Sequence, residues 1–199
     1  MSRFQLADTV KHTLEIKKSL FITWLLPLES KQQAKAHLQQ AREEYPDARH
    51  HCWAYIMGDS PNSLTAAMSD DGEPSGTAGK PMLNVLQHKP INNVMVIVIR
   101  YFGGIKLGAG GLVRAYSQAV EQACSQAELI PIIPKDNYQV ILPFSEESWL
   151  RHTCSKLQGE IESTDYQQQV TVEVIIPKTN SEEFQQALSN RQLEYKLRD

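Results

Sequence analysis

VMVIVIRYFGGIKLGAGGLVR, residues 94–114, reads as a strand, a glycine loop and the start of a helix. The Val/Ile run from Val94 shows no alternation, which predicts a strand to Tyr101 buried on both faces, central in a sheet. Beyond the loop, Leu112, Tyr116, Ala119, Ala123 and Ala127 recur at helical spacing among Arg114, Gln118, Glu121, Gln122 and Gln126, an amphipathic helix. Upstream, SDDGEPSGTAGKP at residues 69–81 is a second glycine segment. It runs into a short helix expected over 80–89, with Pro81 in the first turn and Pro90 as the stop.

Eight of the ten glycines of this 199-residue chain lie between Gly72 and Gly111. The remaining composition, 41% hydrophobic and 22% charged, is that of a globular protein and excludes disordered, fibrous and wholly basic classes. Net charge is −3, but residues 1–134 hold 13 Lys and Arg against 12 Asp and Glu, whereas residues 135–199 hold 7 against 11. From Pro74 to Val120 there is no acid, while Lys80, Lys89, Arg100, Lys106 and Arg114 fall there. A local basic surface binds phosphates whatever the total charge. Three isolated cysteines, Cys52, Cys124 and Cys154, encode neither a disulfide framework nor a zinc ribbon. With no apolar leader or membrane-length run, a cytoplasmic protein is expected.

Elsewhere the pattern predicts a strand over 21–28 and a helix opened by Glu29-Ser30 that buries Ala34, Leu38, Ala41 and Tyr45. A strand over 51–57 follows, with Cys52, Ala54 and Ile56 on one face and Trp53 and Tyr55 on the other. Residues 58–77 show no periodicity. Pro131 and Pro134 form a stiff junction; the domains expected are 1–132 and 135–199. The second reads strand, helix, strand, strand, helix, strand (138–142, 146–157, 160–166, 170–176, 182–188, 193–197), a small ferredoxin-like order with Ser145 and Ser181 as helix caps. The fold class is α+β.

Both glycine segments end at helix N-termini, where unpaired amides and the dipole favour an anion and glycine permits close approach. Lys80, Arg100, Lys106 and Arg114 add charge, Ser75 and Thr77 add hydroxyls, and Gly76, Gly79, Gly108, Gly110 and Gly111 shape the cradle. Asp70, Asp71 and Glu73 orient those cations or hold the loop. Neither segment is a named nucleotide motif: Pro74 stands where a Walker A loop needs its first glycine, and Val113 breaks a dinucleotide fingerprint. Gly-Ala-Gly-Gly before a helix faintly resembles the phosphate loop of GHMP-type kinases. Adjacent His50 and His51 point to opposite strand faces and cannot share a metal. Neither a metal, a cofactor nor a catalytic residue is expected.

SDDGEPSGTAGKPML and RYFGGIKLGAGGLVRAYSQAV closely resemble the signature of the IMPACT family, and the whole chain resembles its bacterial, YigZ-like branch. The resemblance implies a first domain with the fold of the second domain of small-subunit ribosomal protein five, shared with elongation factor G and GHMP kinases. It implies a second domain like a terminal, ferredoxin-like domain of elongation factor G. It also implies a role in translation, at the ribosome or on RNA. The expected function is therefore a non-enzymatic RNA- or ribosome-binding modulator of translation. Its rivals are an enzyme acting on a small phosphorylated substrate, a phosphotransferase or hydrolase, and an adaptor whose acidic second domain contacts a basic ribosomal protein.

Overall fold

The structure is a computed structural model that describes residues 4–58 and 64–198. The chain divides into two compact units, Met1–Ile132 and Ile133–Asp199, each with its own core. Both combine sheets with packed helices, the α+β class expected.

In the first unit, β1 (Phe4–Leu6), β2 (Val10–Ile16), β3 (Ser19–Pro27), α1 (Lys31–Glu44), β4 (His50–Met57), β5 (Thr65–Ser69), α2 (Gly79–Gln87), β6 (Val94–Tyr101), α3 (Ala109–Ser125) and β7 (Leu129–Pro131) follow in order. Five strands form an antiparallel sheet in the order β2-β3-β6-β4-β5. The apolar run of β6 is central, and Val94 through Ile99 are at most 1% exposed. Each such side chain stabilises the fold by about 1.5–3 kcal/mol relative to exposure. Period-two alternation splits the sheet. Phe21, Leu25, Cys52, Ala54, Ile56, Val96 and Val98 face α2 and α3, where Leu112, Tyr116, Ala119 and Ala123 meet them. Trp24, Tyr55, Met95, Ile97 and Ile99 face Ala34, Leu38 and Ala41 of α1. Ser30 caps α1 by accepting the Gln33 N–H at 3.1 Å.

Four strands of this unit differ from the expectation. β2 alternates Val10, His12, Leu14 and Ile16 inward, a period-two signal weakened by its polar outer face. β5 lies in the aperiodic stretch 58–77; Thr-Ala-Ala-Met-Ser has little β propensity and is held as an edge by pairing with β4. Residues 59–63 of that stretch lie outside the described ones. β1 and β7 form a three-residue ribbon that long-range pairing alone creates.

The second unit runs β8 (Lys135–Leu142), a 3₁₀ turn, α4 (Glu147–Lys156), β9 (Glu160–Tyr166), β10 (Val170–Pro177), a 3₁₀ turn, α5 (Ser181–Asn190) and β11 (Glu194–Arg198). Its sheet order is β11-β8-β10-β9, all antiparallel, with Tyr138, Val140, Val170, Val172 and Val174 packed against Leu150, Phe184 and Leu188. Neither serine caps a helix. Ser145 sits inside the 3₁₀ turn preceding α4, and Ser181 is the first residue of α5, its hydroxyl donating to Asp136 at 2.5 Å.

Candidate functional site

The two glycine segments lead into α2 and α3, which lie side by side on one face of the first unit's sheet, yet their helix starts differ. At α2, the Asp70 carboxylate accepts the N–H groups of Gly76 (2.8 Å), Ala78 (3.0 Å) and Gly79 (2.8 Å). Burial alone would raise the Asp70 pKa, but these three amide donors outweigh it and hold the carboxyl below its usual range. The anion at this helix start is therefore the chain's own.

The other two acids are equally engaged. Asp71, at φ 40°, accepts the His51 N–H at 2.6 Å and an Arg42 guanidinium N–H at 3.1 Å. Glu73 is buried and accepts from Arg100 at 2.6 Å and from the Tyr116 hydroxyl at 2.9 Å. The Cys52 thiol, which burial pushes up to about 12, has two acceptors within reach of its single proton, the Asp70 carbonyl at 2.9 Å and the Tyr116 hydroxyl at 3.3 Å. Burial, with Cys52 and Glu73 beside it, raises the Tyr116 hydroxyl as well. This network pins residues 70–79 to β4, β6 and α3.

It also draws part of the expected cradle into the fold. Arg100, two residues beyond Val98 along β6, turns under α3, where its side chain is 8% exposed and its charge is matched by Glu73. The Thr77 hydroxyl donates to the Pro74 carbonyl at 2.6 Å, and the Gly76 and Gly79 amides belong to Asp70. Of the cradle residues expected in that first segment, Ser75 and Lys80 remain exposed.

The start of α3 is organised differently. Gly108 adopts φ 72°, a conformation that favours glycine, and its carbonyl accepts the Leu112 N–H at 2.9 Å. No N-cap side chain closes this terminus. Lys106, Gly110 and Arg114 are exposed and Gly111 is half-buried. The Arg114 guanidinium lies along the first turn, 3.7 Å from where a Cβ on Gly110 would stand. Lys80 lines a groove of about 420 Å³ between α2 and α3, together with Gly76, Val113, Ser117 and His88. Glu121 lines it too, but Lys89 neutralises that acid at 2.6 Å. Among the described residues Lys80, Lys106 and Arg114 make no ion pair.

Two further exposed cations stand beside the second glycine segment. Lys17 and Lys18 form the two-residue tip of the β2–β3 hairpin, and Gly103 of the second glycine segment lies flat on Lys18. A Cβ on Gly103 would stand 2.0 Å from the Lys18 carbonyl carbon, so only glycine fits. Two charges between Ile16 and Ser19 are a turn signal, but one without Asn or Gly. Among the described residues no group of His, Cys, Asp and Glu is arranged to hold a metal ion, and no helix is long and apolar enough to cross a membrane.

Fold and site together define a two-unit α+β protein whose glycine segments turn their acids and Arg100 inward and leave Lys80, Lys106 and Arg114 exposed. The chain belongs to the IMPACT family. Residues 17–124 match the Impact N-terminal domain, and residues 140–191 match DUF1949, a domain of unknown function. It is 40% identical to an IMPACT family member of Haemophilus influenzae, over 89% of this chain and 86% of that one. It is likewise 40% identical to the IMPACT family member YigZ of Escherichia coli, over 88% and 86%. A crystal structure of a hypothetical protein, 37% identical, shares the fold at a TM-score of 0.87 over 100% of this chain and 98% of that one.

Proposed function

We propose that this protein is a cytoplasmic, non-enzymatic binder of RNA or the ribosome that modulates translation, with the face around the start of α3 as its phosphate-contacting surface. The observation that carries the reading is that Lys80, Lys106 and Arg114 are exposed and make no ion pair among the described residues, with Lys106 and Arg114 flanking a helix start that no N-cap side chain closes. Such a surface favours a polyanion through counterion release. Gly108, Gly110 and Gly111 let the backbone come close, and the exposed Ser75 adds a hydroxyl. Asp70, Asp71 and Glu73 act as loop-holding groups, each engaged within the fold. That favours binding over a phosphotransferase or hydrolase, whose base must be free to reach substrate.

The translational role rests on membership of the IMPACT family. The finer folds fit it: the first unit as the domain-two fold of ribosomal protein five, and the second, with strand order β11-β8-β10-β9, as a ferredoxin-like domain. RNA binding by fluorescence anisotropy across a KCl series tests the reading. Affinity should fall steeply with salt, and Lys80→Ala, Lys106→Ala and Arg114→Ala should each lower the log–log slope by about 0.7–0.9. Absent or salt-independent binding to RNA and ribosomes overturns it.

A further inference from the structure

Phe102, immediately after β6, is 52% exposed, although its position is tightly fixed. Next to it, Gly103 donates its N–H to the Ser19 hydroxyl at 3.1 Å and lies against the Lys18 backbone, while the Arg100 guanidinium sits 5.8 Å from the ring centroid. An aromatic ring anchored this firmly and still left to solvent offers a flat apolar face. Beside it stands the β2–β3 tip, where Lys17 (φ 48°) and Lys18 (φ 64°) both occupy the left-handed region. Asn-Gly makes that turn with less strain, so two lysines hold charge at a position where the backbone disfavours them. Both are exposed, and neither makes an ion pair among the described residues.

We propose that this juxtaposition is a single-strand clamp: one RNA base stacks on Phe102 while Lys17 and Lys18 hold the flanking phosphates. A ring between cations suits an unpaired strand, because every base has a face to stack, whereas a duplex keeps its base faces covered. This rests on the RNA-binding reading above and narrows it. Lys80, Lys106 and Arg114 supply charge that either form of RNA would satisfy; Phe102 supplies the selection between them.

The test is anisotropy of the full chain with a labelled single-stranded 12-mer RNA and with the same strand in a duplex. The single strand should bind at least ~10-fold more tightly. Phe102→Ala should weaken single-strand binding roughly 10-fold with an unchanged salt slope, and Phe102→Trp should restore it, since stacking is electrically neutral. Lys17→Ala and Lys18→Ala should instead each lower the slope by about 0.7. Thermal denaturation of each variant separates lost binding from lost folding. Equal affinity for duplex, or a Phe102→Ala variant that binds as the parent does, overturns the clamp while leaving the broader reading standing if the α3 substitutions still flatten the slope. Failure to bind either RNA overturns both.

Discussion

Glu73 and Arg100 form a pair whose side chains are 3% and 8% exposed, with oxygen and nitrogen 2.6 Å apart. Replacing Glu73 by Gln leaves a guanidinium in the core without its counter-charge, and among the described residues the Arg100 Nε already has no hydrogen-bond partner. Removing one member of a buried pair costs about 3–5 kcal/mol, against a domain stability of about 5–15 kcal/mol. For a unit of this size the midpoint of thermal unfolding should drop by roughly 10–20 °C. Arg100→Met should cost a similar amount by stranding the carboxylate. The double variant Glu73→Gln/Arg100→Met leaves neither charge and keeps an amide oxygen for the Tyr116 hydroxyl, so it should lie within about 2 kcal/mol of the parent. Urea denaturation followed by tryptophan fluorescence, with Trp24 only 1% exposed in the same unit, reads all three. Additive losses in the double variant, or a single loss below about 1 kcal/mol, would refute the claim that these two charges are buried for each other.

Asp70→Ala leaves the Gly76, Ala78 and Gly79 amides without their acceptor and should cost about 2–3 kcal/mol, with faster amide exchange across 76–79 by mass spectrometry. Because the Asp70 pKa is held down in the fold, its contribution is complete above the unfolded carboxyl value and fades as pH falls through the folded one; acid titration of parent against Asp70→Asn should show it. Gly103→Ala drives a methyl into the Lys18 backbone and should cost at least about 3 kcal/mol, whereas Gly104→Ala, with open space but φ 84°, should cost about 1 kcal/mol, both measured by denaturation. Burial raises the thiols of Cys52 to about 12 and of Cys124 and Cys154 to about 11. Keeping them protonated stabilises the fold fully below about pH 9, and that contribution declines as pH rises toward 11–12. The native chain should therefore resist iodoacetamide at pH 8 and react after unfolding in urea.

The elements with strong periodicity were legible: β6 from its unbroken Val/Ile run, α3 from its 3.6-residue spacing, β4 from the division of Cys52, Ala54 and Ile56 from Trp53 and Tyr55. Strands defined by their partner were not. β5 carries no hydrophobic pattern of its own, and β1 with β7 exists because residues 4–6 and 129–131 meet. For the site, composition located the cations but not their direction. Arg100 and Arg114 are equal in sequence, and only the position of each on β6 or α3 decides that one is buried against Glu73 and the other turned to solvent. Lys17 and Lys18 were invisible because their closeness to Gly103 spans some 85 residues of chain and depends on β3 pairing with β6.

The acid-free window from Pro74 to Val120 acquires a physical cause from this geometry. The acids that serve it lie just before it, at Asp70, Asp71 and Glu73, and they point inward. Asp70 saturates the amides at α2, and Glu73 neutralises the one cation of the window that is buried among the β-strands. What stays outside is a surplus of positive charge around α3, where an acid of the chain's own would compete with any ligand for the same amides. The two glycine segments are thus unlike in role despite their likeness in sequence. The first folds around internal anions and fixes the scaffold; the second leaves its helix start uncapped. Substitutions in the first should therefore register as lost stability before lost binding, and substitutions of Lys106 or Arg114 as lost binding with stability intact.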